Sequence, residues 1–396
     1  MSVPGALLVS EVFPPAIGGS GVLFENVYSR LGQIPVTVLS HGPGGSRSVR
    51  SRLDVQHVDM AAPDWGIRRP ASILRHVRLA RAIRRLSVGT PSGFVHCGKA
   101  LPEGFSARLA QLSGGAPYLC WVHGEELGLA STSRELGALT RRTYARARAV
   151  VANSENSRHL LVRDWNVSED RVHVVHPGVD VNRFRPDVNR CDWRHRYASD
   201  GETLFLSVGR LQRRKGHDLV LKALARWPAD GARVRYLIAG DGPELEALKA
   251  EARSLRLGDL VVFIGAVSET DLPSLYAACD VFVMPNRREG VDFEGFGIVF
   301  LEAAASGLPT IGGKTGGVPE AVEDAVTGIL IDGTDAADLA SAMRQLTSQA
   351  LRNKMGAEGR ARVIREFTWE RAAHSMAAIH EGLLRQDAQP ARRSWQ

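Results

Sequence analysis

Short apolar runs separated by longer segments of helical period fill this chain, and that alternation is the pattern of parallel sheets covered by helices on both faces. In the first half it predicts strands near 6 to 10, 36 to 39, 94 to 97, 118 to 122, 149 to 152 and 172 to 175. The second half repeats it near 203 to 208, 234 to 239, 260 to 264, 281 to 284, 309 to 312 and 328 to 331. A polar stretch from His176 to Asp200, with Pro177, Gly178 and Pro186, interrupts the alternation and reads as a linker with scope for hinge motion. At 396 residues the chain exceeds one compact core and suits two doubly wound α/β domains. The expected division is 1–180 and 181–367, with a helix at about 368–385 packing back on the first domain and a disordered tail at 386–396.

Composition narrows the function classes. No stretch approaches the roughly 18 to 20 apolar residues of a membrane-spanning helix, and Met-Ser-Val-Pro-Gly opens no signal peptide, so a soluble cytoplasmic protein is expected. Cys97, Cys120, Cys191 and Cys279 lie far apart, in no zinc, redox or disulfide spacing, which fits a reducing compartment. The net charge of +7 is uneven: residues 1 to 185 carry 23 basic and 14 acidic residues, the remainder 27 and 29. An anionic partner would suit that surface, although solubility alone also accounts for it. No RNA-binding aromatic motif, zinc finger or basic zipper accompanies the charge, so nucleic acid is not an expected partner.

Three segments could carry chemistry. Ala6 to Ser10, then Glu11 through Gly18, Gly19 and Gly21, reads as a strand, a glycine-rich loop and a helix start, where a backbone without Cβ atoms can approach a phosphate or a sugar. An ordinary strand-to-helix turn has the same outline, and the spacing is not that of a dinucleotide fingerprint. Leu204 to Arg210 ends a strand, and the following loop carries Lys215 and Gly216, so Arg210 and Lys215 project from the edge where such folds bind ligands and could neutralise a diphosphate without a metal. Asn286 to Glu302 is the most specific stretch. Glu294 lies in a glycine-containing loop, Glu302 about two turns into the apolar helix that follows, and the helix start between them offers free amides to a phosphate. Two surface acids remain the plain alternative.

Glu294 and Glu302 form a Glu-x7-Glu pair that resembles the motif of glycosyltransferase family 4, whose retaining enzymes have the two-Rossmann GT-B fold. Matches run in order from Phe13-Pro-Pro through Gly18-Gly19, His123-Gly124, Asn153-Ser154, His176-Pro-Gly-Val-Asp180, Gly209-Arg210, Lys215-Gly216, Gly240-Asp-Gly-Pro243 and Pro285 to Glu320 and Phe367-Thr-Trp369. The loop from Gly290 to Glu302 is especially similar to that of bacterial phosphatidylinositol mannosyltransferases and their relatives.

The resemblance implies a catalytic set of His123, Arg210, Lys215 and Glu294 in a cleft between two facing domains. Arg210 and Lys215 would hold the donor diphosphate and Glu302 the ribose hydroxyls. Glu294, with the amides of Gly295, Phe296 and Gly297 and with Ile298 and Val299 beside them, would hold the donor sugar and its phosphate. Gly18 and Gly19 would approach the diphosphate, and His123 would position the sugar. The implied mechanism is departure and attack on one face through an oxocarbenium-like state, with no cofactor and no metal.

The donor base is read from Gly265 to Glu269, where Val267 and Glu269 would line the nucleobase and Glu269 could accept from guanine; GDP-mannose is favoured, with UDP-GlcNAc or UDP-glucose as alternatives. The acceptor is a hydroxyl of a lipid, glycan or small molecule. Arg75, Arg78, Arg81 and Arg85 are expected along one helical face, with Ile73, Val77, Ala80 and Ile83 on another. That face suits either a solvated outer helix or peripheral contact with anionic membrane at its inner surface. Gly21 offers no basic side chain at the glycine loop, and Arg287-Arg288 is expected to add positive charge beside the donor site. A nucleotide-sugar epimerase, a phosphorylase and a non-catalytic sugar-binding protein are the rival readings.

Overall fold

The computed structural model describes residues 4–14, 18–42, 53–61, 64–89, 92–189, 191–228 and 231–388. The chain divides into two compact units, Met1–His176 together with Trp369–Gln396, and Pro177–Thr368. The first contains a seven-stranded sheet of β1 (Gly5–Ser10), β2 (Val36–His41), β3 (Asp54–Val58), β4 (Ser92–Cys97), β5 (Tyr118–Val122), β6 (Val150–Ala152) and β7 (Val172–Val174) in the order β3-β2-β1-β4-β5-β6-β7. The second contains β8 (Thr203–Val208), β9 (Val234–Ala239), β10 (Val261–Gly265), β11 (Val281–Met284), β12 (Thr310–Gly313) and β13 (Gly328–Ile331) in the order β10-β9-β8-β11-β12-β13.

All these pairings are parallel, with Val9 opposite both Leu39 and Cys97, and Leu206 opposite both Leu237 and Phe282. Parallel strands covered on both faces read as continuous apolar runs, and β5, β8 and β11 are buried at every position. The strand that the alternation did not predict is β3. Its sequence, Asp-Val-Gln-His-Val, sits at the sheet edge and buries only Val55, so it lacks an apolar run.

The stretch from 176 to 200 is no free linker. The division falls between His176 and Pro177, and Val179 and Phe184 are buried in the second unit's core. The amide of Val179 donates to the Phe367 carbonyl at 2.9 Å, so the segments by which the chain enters and leaves this unit are tied together. A short helix, Cys191–Tyr197, follows, and its Arg194 donates to Asp280 at 2.6 Å.

The final helix runs Trp369–Ala388, three residues past its predicted end at about 385; 389–396 lie outside the described residues. It joins the first unit through a buried chain of hydrogen bonds. His380 Nε2 lies 3.0 Å from the Pro4 carbonyl, His380 Nδ1 3.0 Å from His96 Nε2, and His96 Nδ1 2.8 Å from Tyr28 Oη, which accepts from Trp121 Nε1 at 2.9 Å. A carbonyl can only accept, so each neutral imidazole carries its proton on Nε2 and the chain has one direction.

The helix Pro70–Gly89 keeps Arg78, Arg81 and Arg85 exposed and Ala80 and Ile83 buried, as its predicted wheel has them, but Arg75 and Ile73 exchange sides. Arg75 is 2% exposed and belongs to the inner face with His76, Leu79 and Ile83, whereas Ile73 and Leu74 are exposed beside Arg78, Arg81, Arg84 and Arg85. Polar neighbours explain the inversion. His76 Nδ1 lies 3.0 Å from Ser106 Oγ, and Glu11, Glu103 and Asp64 act electrostatically on Arg75, so the buried face accommodates a cation.

Candidate active site

In open parallel sheets, ligands bind beyond the carboxyl ends of the strands where the strand order reverses. That point lies between β8 and β11 in the second unit, and between β1 and β4 in the first. The segments after β1, β8 and β11 carry Gly18, Gly19, Arg210, Lys215 and Glu294, whereas His123 follows β5 and Val267 and Glu269 follow β10.

After β8 come Gly209, the exposed Arg210 and a short turn, Arg213–Lys215. After β11 come Pro285, Asn286 and a tight turn at Glu289–Asp292 that leads to Glu294. Glu294 is 8% exposed, and a single oxygen, Oε2, accepts from Arg214 Nη1 at 2.8 Å, from Asn286 Nδ2 at 2.9 Å and from Lys215 Nζ in a short contact. Burial pushes this carboxyl up, but Lys215 and Arg214 more than offset it and hold the group below the usual carboxylate range. Arg214 also pairs with Asp292 at 3.2 Å. Neither Arg214 nor Asn286 was singled out from sequence: Arg214 hides in an Arg-Arg-Lys run, and its adjacency to Lys215 was the available signal.

Backbone packing fixes Glu294. Gly316 has φ +58°, and a Cβ there would fall 2.0 Å from the Glu294 carbonyl oxygen, which accepts from the Gly317 amide at 3.0 Å. Gly297, at φ +92°, opens the helix Ile298–Ala305 with no capping side chain, so the helix start at Ile298 and Val299 suits an anion. Glu302 stands one turn into this helix rather than two. It accepts from Tyr276 Oη at 2.9 Å, and burial pushes its carboxyl up to about 7 despite that bond.

Arg183 acts electrostatically on Glu302 and donates from Nη2 to the Glu269 carbonyl. It therefore relates the Val267 to Glu269 loop to the Glu302 carboxylate, a connection that spacing alone did not reveal. Arg287 is no loose cation beside the site. It is buried and paired with Asp218 at 2.8 Å and Glu289 at 2.6 Å, so only Arg288 of that pair faces solvent.

In the first unit, His123 follows β5 and its Nε2 donates to the Gly98 carbonyl at 3.0 Å, at the end of β4. Its amide donates to Glu126 at 2.7 Å, and its ring lies edge-on to Phe24 with centroids 5.4 Å apart. Lys99 pairs with Glu11 at 2.8 Å and sits 4.3 Å over the Trp65 ring. Beneath them Glu103 is 1% exposed, accepts the Glu11 amide at 2.9 Å, and burial pushes its carboxyl up to about 7. Gly18 caps the helix Gly19–Tyr28 in an extended conformation that any residue adopts. A Cβ on Gly19 would meet nothing within 4 Å, so internal packing places no demand for glycine there.

The second unit thus presents cations and helix amides around an ordered carboxylate, a suitable receptor for a group with both phosphate and hydroxyls. The profile of Glycosyl transferases group 1 matches residues 190–362, and that of Glycosyltransferase Family 4 matches residues 17–183. A GDP-mannose-dependent alpha-(1-6)-phosphatidylinositol monomannoside mannosyltransferase of Mycobacterium tuberculosis is 32% identical over 95% of this chain and 98% of its own. The chain belongs to glycosyltransferase family 4.

As a family 4 member it is a glycosyltransferase that moves a hexosyl group from a nucleotide-sugar to an acceptor. The enzyme of the same description from Mycolicibacterium smegmatis is 31% identical over 95% of this chain and 98% of its own. Among solved structures, sucrose-phosphate synthase from Thermosynechococcus elongatus superposes with a TM-score of 0.80 at 22% identity, over 97% of this chain and 100% of its own. That similarity identifies the GT-B fold. Among the described residues, no helix is long and apolar enough to cross a membrane.

Proposed function

We propose that this glycosyltransferase is a retaining mannosyltransferase that uses GDP-mannose. The observation that carries the reading is the grip on Glu294 by Lys215, Arg214 and Asn286 beside the open start of the helix Ile298–Ala305. Lys215 and Arg210 would take the diphosphate, with the amides of Gly295 to Val299 supporting it. Glu294 would orient the mannose hydroxyls, and Glu302 would accept from the ribose, with Val267 and Glu269 at the guanine. These cations and amides supply the charge stabilisation that a metal otherwise provides, so turnover needs no metal. The diphosphate leaves from the face on which the acceptor attacks and takes the acceptor's proton.

For the acceptor, the names of the mycobacterial relatives support a hydroxyl of an inositol phospholipid that already carries mannose. The exposed face of Pro70–Gly89, with Ile73, Leu74 and Val88 among Arg78, Arg81, Arg84 and Arg85, has the composition of a helix that lies on anionic lipid. The enzyme would work at the cytoplasmic face of a membrane without entering it.

The first test is thermal shift against GDP, UDP, ADP and dTDP, with and without EDTA. A ligand at about 100 times its dissociation constant adds roughly 2.7 kcal/mol of stability. A GDP-selective, EDTA-insensitive shift is expected. A UDP-selective shift would replace the donor, and no shift with any nucleotide would remove the donor-site reading. Sedimentation with anionic vesicles, lost on Leu74→Glu, tests the helix face separately.

A further inference from the structure

Three donors converge on one oxygen of Glu294, yet two of them differ in kind. Lys215 is a point charge on a flexible stem, whereas Arg214 is a planar fork whose position is set by Asp292 on one side and Glu294 on the other. A bound diphosphate needs a cation, and Lys215, while it sits on Glu294, is committed elsewhere. We propose that Lys215 changes partner when the donor binds, moving from Glu294 to the diphosphate, and that Arg214 is the positioning residue that keeps the Glu294 carboxylate in place during the exchange. This rests on the donor-site reading above. Asn286 alone could hold the orientation of the carboxylate but brings no charge.

The exchange has an electrostatic consequence. The charged groups that bear on Glu294 are Lys215 and Arg214, with burial opposing them. When Lys215 leaves, Arg214 is the remaining cation. Without Arg214 as well, burial would act on Glu294 with neither of these cations to offset it and would push its carboxyl up. Arg214 therefore ensures that the sugar meets an ionised acceptor rather than a neutral acid.

The test follows the Glu294 carboxyl by carbon-13 NMR of glutamate-labelled protein, assigned with Glu294→Gln, in the absence and presence of GDP. Wild type, Arg214→Met, Arg214→Lys and Lys215→Ala are compared, and GDP affinity is measured for each by calorimetry. In Arg214→Met, GDP should raise the titration midpoint of Glu294 by about two pH units, with GDP affinity changed less than about threefold. Arg214→Lys should restore most of the wild-type midpoint, and it covers the case in which Arg214→Met does not fold. A midpoint in Arg214→Met that GDP does not move would overturn the exchange. So would a loss of GDP affinity in Arg214→Met equal to that in Lys215→Ala, since Arg214 would then be a phosphate ligand. The donor-site reading fails differently, by absence of GDP and UDP binding in wild type or by unchanged nucleotide affinity in Lys215→Ala.

Discussion

Tyr28→Phe removes one hydroxyl from the centre of the buried chain that runs from Trp121 through His96 and His380 to the Pro4 carbonyl. The phenol both accepts from Trp121 Nε1 and donates to His96 Nδ1. Its loss leaves a donor and an acceptor unpaired in a region where Tyr28, His96 and Trp121 are each 1% exposed or less. Each unpaired buried group costs about 1 to 3 kcal/mol, so a loss of about 4 kcal/mol is expected. In a domain of 150 to 250 residues that lowers the melting temperature by about 8 to 16 °C. The assay is thermal and urea unfolding at pH 7.5, followed by tryptophan fluorescence. In a double-mutant cycle, His96→Leu should cost less in the Tyr28→Phe background than alone, because the groups share one network.

Acid should act on the same chain. Burial holds His96 well below the ordinary histidine range and lowers His380. A depressed histidine pKa means that the unfolded chain binds more protons, so this stability is fully present above about 6.5 and is lost as pH falls below it. A Tyr28→Phe variant that melts within about 2 °C of wild type would refute the account of a directed, fully paired chain.

Arg210→Ala and Lys215→Ala should each lower kcat by about 100- to 1000-fold, the cost of one well-placed donor to a developing charge, measured as GDP release from GDP-mannose with acceptor present. Glu302 titrates at about 7, raised by burial, so GDP affinity should fall as pH drops below 7 and Glu302→Gln should flatten that dependence in calorimetry. The same raised value makes the native state hold a proton that the unfolded chain releases between about 4.5 and 7, so the contribution of Glu302 to stability declines as pH rises through that window. Gly316→Ala should reduce nucleotide-sugar binding more than GDP binding, because its Cβ would press on the Glu294 carbonyl at 2.0 Å and displace the residue proposed to orient the sugar.

Apolar runs located the strands of both sheets well because parallel strands are buried on two faces, and β3 escaped because it is an edge strand with one buried side chain. Periodicity misassigned Arg75, since a wheel that sorts by polarity cannot foresee a buried cation among Glu11, Glu103 and Asp64. Lys215 and Glu294 were identified as separate points, yet their direct contact depends on how the ends of β8 and β11 meet, which spacing does not encode. Arg214 and Asn286 were passed over for the same reason. Arg287 was counted as charge at the site because its partner Asp218 lies 69 positions away in the chain.

The route of the chain also fixes an order of assembly. The Pro177–Thr368 unit is one continuous segment, whereas the first unit is finished only by Trp369–Gln396. On a ribosome moving at about 5 to 20 residues per second, the last helix emerges roughly ten to forty seconds after His176. During that interval His96 lacks its His380 partner, and the surface around Phe94 is without its cover. The carboxyl-terminal unit can therefore finish folding before the amino-terminal one, reversing the usual vectorial order. A chain arrested near Thr368 would present a complete second unit attached to a first unit still awaiting its final helix.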